Sequence, residues 1–245
     1  MMASAHTYLA IDLGAESGRA ILATLDGDLL ALNEVHRFDN QPVRLPDGLH
    51  WDVLRLWEEI KTGIAAAIHS GKKLDGIGLD AWGVDFALLD RFGGLLSNPF
   101  HYRDNRTDGM LEEAFRRVPR DQIFAQTGIQ FMQINSLYQL FAMVLARSPL
   151  LEAAETFLTI PDLFNYWLSG EIACEFTNAT TTQCFDPHKR DWAIPLLEAL
   201  DIPAHLFRPV VQPGTVLGEL LPGVAGSCGN PVPVLLPACH DTGSA

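Results

Sequence analysis

Short apolar stretches broken by glycines and acids dominate the start of the chain. Residues 8–12 are apolar up to a closing carboxylate, Asp12, and predict a strand. A tight loop at 13–18 leads through Arg19 into a second apolar run at 20–25. Asp26-Gly27-Asp28 is a hairpin signal, and residues 29–37 supply a third strand. The period then changes. Val53, Trp57, Ile60, Ile64 and Ala67 recur at steps of three and four, predicting a helix that Asp52 can cap and Gly71 can end. Residues 76–80 predict a strand carrying Asp80 at its end, and residues 84–89 another, turned at Phe92-Gly93-Gly94.

The middle of the chain is more helical. Residues 108–118 and 136–147 have helical spacing, the second capped by Asn135 or Ser136 and stopped at Ser148-Pro149. Pro161 suits a helix start for residues 162–168, with Gly170 closing it. Residues 177–183 are polar, β-branched and short, and read as loop; residues 192–200 predict a last short helix. The apolar run 231–239, bounded by prolines, reads as a buried strand. Asp241 stands at its tip, followed by Thr242-Gly243-Ser244, a sequence that opens a helix. No repeat, low-complexity tract or long linker divides the chain into separate domains. Three meandering strands, a helix and a further strand make the ribonuclease H-like or actin-like α/β layout, a mixed sheet flanked by helices rather than a βαβ alternation.

Composition narrows the function classes. With 245 residues, 48% of them hydrophobic, the chain can bury a substantial core. Its 17 Lys and Arg against 30 Asp and Glu give a formal charge of −13, which disfavours nucleic acid and anionic membranes as partners. A phosphate-bearing ligand would need a metal ion or a local cluster of donors. Cys174, Cys184, Cys228 and Cys239 form no C-x-x-C pair and no zinc spacing, and read as reduced thiols. The first residues carry neither a basic nor an apolar leader segment, so a cytoplasmic location is expected.

Four segments could carry chemistry. In Asp12-Leu13-Gly14-Ala15-Glu16-Ser17-Gly18-Arg19 the glycines permit a tight turn whose N–H groups, with the Ser17 hydroxyl, could approach a phosphate. Asp12 could hold a hydrated Mg²⁺ and Arg19 could face phosphate oxygens; the plain alternative is a hairpin. Trp82-Gly83 between two strands suggests close approach to a small hydroxylated molecule, with Asp85 accepting from hydroxyls; a core tryptophan at a sheet kink is the alternative. The segment from His101 through Tyr102 to Thr107 reads more simply as a capped, salt-bridged helix start. Cys239-His240-Asp241 has the residue types of a nucleophile triad, but successive strand residues point to opposite faces and cannot form a relay. Asp241 as a lone general base, or as a cap of the next helix, remains.

Taken in order, Asp12 to Arg19, Trp82 to Phe86, Tyr102 to Thr107, Gly128 to Phe131, Thr177 to Gln183 and His240 to Thr242 closely resemble the FGGY carbohydrate kinases, from about Tyr8 to the last residue. The likeness is greatest to members that phosphorylate the 1-hydroxyl of L-rhamnulose with ATP. It implies Asp241 as proton acceptor, with His240 and Thr242 beside it at the sugar and Gly83 as a backbone contact to the ketose. Asp85 and Tyr102 are implied as wall residues, Ala15, Glu16, Ser17, Gly18 and Arg19 as the nucleotide-phosphate loop, and Asp12 as the acid that helps hold Mg²⁺. Residues 1–245 are then expected to be an N-terminal sugar-binding domain, cut just past its key acid, without the C-terminal nucleotide-binding domain. A non-catalytic sugar-binding module, or a kinase for another ketose such as L-fuculose, are the rival expectations.

Overall fold

The computed structural model describes residues 5–225 and 230–244. Cys228 lies outside them. The first three predicted strands are present as β1 (His6–Leu13), β2 (Ser17–Asp26) and β3 (Leu29–Asp39), a continuous antiparallel meander. The hairpin Asp26-Gly27-Asp28-Leu29 closes β2 on β3, and Gly27 takes the left-handed backbone (φ +58°) such a turn requires. Along β1 burial alternates: Leu9, Ile11 and Leu13 point into the core, Tyr8, Ala10 and Asp12 away from it.

Helix α1 (Val53–His69) starts where the Asp52 carboxylate accepts from the Arg55 N–H, and Gly71 follows its end at φ +74°. Its buried face, Leu56, Ile60, Ile64 and Ala67, covers β1–β3. Strand β4 (Gly76–Ala81) then pairs parallel with β1, so that Asp80 lies directly opposite Asp12. Two late strands, β5 (Val216–Glu219) and β6 (Pro233–Leu235), complete a mixed sheet in the order β5-β6-β4-β1-β2-β3.

Helix α2 (Ser136–Leu145) lies nearly wholly in the core, and helix α3 (Ile160–Ser169), with Pro161 in its first turn and Gly170 at φ +82° beyond its end, covers β4 to β6. Trp57 of α1 and Trp167 of α3 meet edge to face at 5.5 Å, so both helices lie on one side of the sheet. Among the described residues no helix is long and apolar enough to cross a membrane.

Five local expectations are corrected. The segment predicted as loop at 177–183 opens as helix α4 (Phe176–Thr181), because the buried Glu175 carboxylate accepts from the N–H groups of Thr177 (2.9 Å) and Asn178 (3.1 Å). The strand expected from residue 84 begins at Phe86, since Val84 is turned to φ +68°. The helix expected from Trp192 begins at Ile194; Trp192 pairs with Phe185 in a two-stranded ladder. The expected long strand at 231–239 is regular only over β6, resuming as a single parallel bridge between Ala81 and His240; Pro237, which has no N–H to donate, lies in the interruption. Nor does the Asn135 side chain cap α2: its amide nitrogen donates to Gln183 Oε1 at 2.9 Å and to the Gln130 carbonyl at 3.0 Å.

Candidate active site

Chemistry collects at the ends of β1, β4 and the segment after β6. The turn joining β1 to β2 is tight: Gly14 N–H donates to the Ser17 carbonyl (2.8 Å), and Asn40 clamps it from outside through Gly14 O and Glu16 O (both 2.9 Å). The N–H groups of Ala15 and Glu16 meet no acceptor among the described residues, leaving two donors at the tip. Gly18 is required for packing, because a Cβ there would lie only 2.5 Å from Phe38 Cε2. Arg19 turns back on Asp12, donating through Nε at 2.8 Å with a second nitrogen at 2.7 Å. In this form Arg19 therefore neutralises Asp12. The Glu16 side chain is exposed.

Asp80 has a second acid on each side. Burial, reinforced by the carboxylates of Asp12 and Asp241, pushes its pKa up to about 6, against the lowering influence of the Ser244 hydroxyl and the charge of Arg19. Its Oδ1 is buried with no partner. Asp12, Asp80 and Ser244 line one groove of about 360 Å³ together with Tyr8, Gly78 and Leu235, on the sheet face away from α1 and α3. Carboxylate oxygens, one of them orphaned, fit a divalent cation of the Mg²⁺ type. No three His, Cys, Asp or Glu side chains among the described residues are set closely enough to cage one, which suits an ion that keeps most of its water.

Asp241 begins a single helical turn, α5 (Asp241–Ser244), and its partly exposed carboxylate lies 3.4 Å from His240 Nε2. It also accepts from the N–H (2.6 Å) and hydroxyl (3.2 Å) of Thr242, so it serves the local turn while staying open to solvent. Cys239 points elsewhere, its thiol buried against Asn165 and the Pro237 carbonyl; burial raises its pKa well above the ordinary value. His240 is held to the end of β4 by the bridge to Ala81, whose N–H donates to the Cys239 carbonyl at 3.0 Å. Asp241 is thereby carried beside the Trp82-Gly83 corner.

That corner is built around Asp85, which is fully buried. Its Oδ2 accepts from Trp51 Nε1 (2.6 Å), Trp82 Nε1 (3.0 Å) and the Tyr102 N–H (3.2 Å), and its Oδ1 from Gln139 Nε2 (3.0 Å). Burial pushes its pKa up to about 6 despite these bonds. Four protein donors hold this carboxylate and none of it is exposed, so Asp85 frames the corner from behind where a wall role was expected. Tyr102 keeps a half-buried ring against Trp51 and His101, while Asp104 caps the following turn by accepting from Arg106 N–H (3.0 Å). Gly83 lies under Thr181 of α4, whose hydroxyl oxygen is 3.2 Å from the Val84 N–H that donates to it.

Trp51, Gln139 and Glu175 escape sequence reading. A lone glutamine inside the apolar helix α2 and an acid just ahead of a threonine-rich stretch were the available signals, but neither names its partner.

The matched family model is the N-terminal domain of the FGGY family of carbohydrate kinases, over residues 7–245. The rhamnulokinase of Oceanobacillus iheyensis is 43% identical over 97% of this chain, and that of Halalkalibacterium halodurans 40% identical over 97%. In each case the chain spans about half the relative, 50% of its length. Among solved structures, the gluconate kinase and the ligand-bound xylulose kinase of Lactobacillus acidophilus both superpose with a TM-score of 0.85 at 17% identity, over 97% and 96% of this chain and 48% of each of theirs. The fold is theirs, and with nearly its whole length matched this chain belongs to the FGGY family of carbohydrate kinases, as its N-terminal domain.

Proposed function

We propose that this domain binds the ketose in a kinase that transfers the γ-phosphoryl group of ATP to the 1-hydroxyl of L-rhamnulose. The observation that carries the reaction is the bridge between Ala81 and His240, which brings the open carboxylate of Asp241 to the Gly83 corner and the Asp12–Asp80 pair. The choice of ketose rests on the identity with rhamnulokinases along the whole chain. Asp241 accepts the hydroxyl proton as the oxygen attacks phosphorus, which needs one carboxylate at hydrogen-bond reach. His240 and Thr242 flank the sugar, the Gly83 backbone and the Tyr102 ring bound it, and Asp85 fixes that wall from behind.

The free amides at Ala15 and Glu16, with Ser17, Gly18 and Arg19, receive the phosphate end of ATP. Asp12 would hold Mg²⁺, which supplies positive charge against the phosphate oxygens. Arg19 must then leave Asp12 for a phosphate, so nucleotide binding and release of that ion pair go together. Glu16 points its charge into solvent. The buried, unpaired thiols of Cys174, Cys184 and Cys239 are in keeping with a cytoplasmic site of action.

Asp241→Asn in the intact kinase is expected to abolish turnover while leaving ketose affinity within about threefold, since only the proton acceptor is lost. Near-normal turnover would refute the assignment. A phosphorylation screen over several ketoses, L-fuculose included, tests the substrate, and calorimetry on this chain alone tests for ketose binding without ATP.

A further inference from the structure

Helix α4 touches both halves of the site. At its N-terminal end, Thr177 Oγ1 accepts from the His240 N–H at 3.2 Å and donates to Glu175 Oε2 at 2.6 Å. The same Glu175 oxygen accepts from the Cys239 N–H at 3.1 Å, and Asn178 Nδ2 is 3.4 Å from the Cys239 carbonyl. The two residues ahead of Asp241 are thus tied by their backbones to one end of α4. At the other end, Thr181 Oγ1 accepts from the Val84 N–H, and its side chain stands over Gly83, where an added Cβ would come within 3.0 to 3.1 Å of it. Val84 is in the left-handed region at φ +68°, a backbone that a β-branched residue keeps only when held from outside. Glu175 is fully buried and is itself anchored, its N–H donating to Asp162 Oδ1 at 3.0 Å.

We propose that α4 is a rigid spacer between the two halves of the site, with Thr177 and Thr181 as positioning residues. Thr177, seated on Glu175, sets where Asp241 stands; Thr181 sets the Gly83-Val84 corner against the ketose. Neither hydroxyl has its proton free to donate to a ligand. Thr177 accepts from one N–H and donates to a carboxylate, and Thr181 accepts from Val84 N–H and donates to the Asn178 carbonyl at 2.8 Å. Their effect is on geometry alone, and the two ends control different kinetic quantities. Displacing the acceptor carboxylate slows the chemical step, whereas loosening the corner weakens ketose binding.

The inference rests on the kinase reading above, and its test separates the two. In the intact kinase, Thr177→Val keeps the shape and removes the hydroxyl. It is expected to lower kcat by at least about tenfold with ketose KM within about threefold, because small misplacement of a reacting group costs up to about a hundredfold. Thr177→Ser, which returns the hydroxyl, recovers kcat to within about threefold of the parent. Thr181→Val raises ketose KM by about tenfold or more with a smaller change in kcat. Rates are taken per ketose-binding site counted by calorimetry, so a partly unfolded preparation does not mimic the effect. If Thr177→Val cannot be purified folded, the Thr181 pair decides: ketose KM raised in Val and restored in Ser supports the spacer, and an unchanged KM in Val overturns it. Equal losses of kcat and thermal stability in Val and Ser variants, or unchanged kcat in Thr177→Val, overturn the spacer role. Should Asp241→Asn keep its turnover, the kinase reading fails first; loss in Asp241→Asn with a normal Thr177→Val sinks only the spacer.

Discussion

Replacing Asp85 separates a framing carboxylate from one that touches sugar. In Asp85→Ala the indole N–H groups of Trp51 and Trp82 and the Tyr102 N–H lose their shared acceptor, while Gln139 keeps the carbonyls of Val84 and Ile134. Three buried donors left unpaired cost ~1–3 kcal/mol each. Against this stands relief of a buried charge. The carboxyl is raised from 3.8 to about 6, a rise of about two units; this is worth ~3 kcal/mol once the pH is well above 6. Taking the middle of the donor range, the net loss is ~3 kcal/mol near pH 7.5, against a total of ~5–15 kcal/mol for a typical domain.

The sign with pH follows. An acid whose folded pKa is raised favours the native state below its unfolded value, and that contribution is lost as pH rises through the folded value near 6. The relief gained by Asp85→Ala is therefore smaller near pH 5, and the variant's deficit grows there by ~1 kcal/mol. Asp85→Asn keeps one oxygen for the three N–H donors and removes the charge, but its amide nitrogen then faces Gln139 Nε2, another donor, so its stability near pH 7.5 should fall between those of Asp85→Ala and the parent, with a flatter profile between about pH 4 and 6. Urea unfolding of both variants at the two pH values, beside calorimetric ketose titration, is the assay. If Asp85→Ala unfolds at the parent's midpoint yet loses the ketose, Asp85 is a contact to the sugar and the framing argument is wrong.

Two further outcomes follow from the same geometry. Gly18→Ala drives a Cβ into the Phe38 ring and should cost ~1–3 kcal/mol in denaturant unfolding, more than Gly14→Ala, whose Cβ would meet only Ser17 O at 3.1 Å; equal costs would contradict the packing account. Asp80, raised to about 6, likewise destabilises the fold as pH climbs from about 4 through 6. Asp80→Asn should remove that part of the decline and raise Tm near neutral pH, and an unchanged Tm–pH curve would show that neither burial nor its neighbouring acids raise this carboxyl.

Much of this domain is written locally. Hydrophobic period, turn glycines and capping residues determine the β1–β3 meander, α1, β4 and the start of α3, because each of these signals acts within a few residues of the backbone it shapes. The order of the motifs likewise determines the family, and the carboxylate at the last strand's tip is plain in the chain. Tertiary structure alone decides who meets whom. Asp80 faces Asp12 through a parallel ladder between residues far apart in sequence, and His240 reaches Ala81 through a single bridge. Residues 177–181 look like loop because their helix is nucleated by a buried carboxylate, Glu175, that also holds Cys239, 64 residues away. Asp85 looks like a pocket acid until Trp51 and Gln139 close over it. Propensity and period carry no record of such long-range hydrogen bonds, so only the folded backbone determines which polar groups remain free to act.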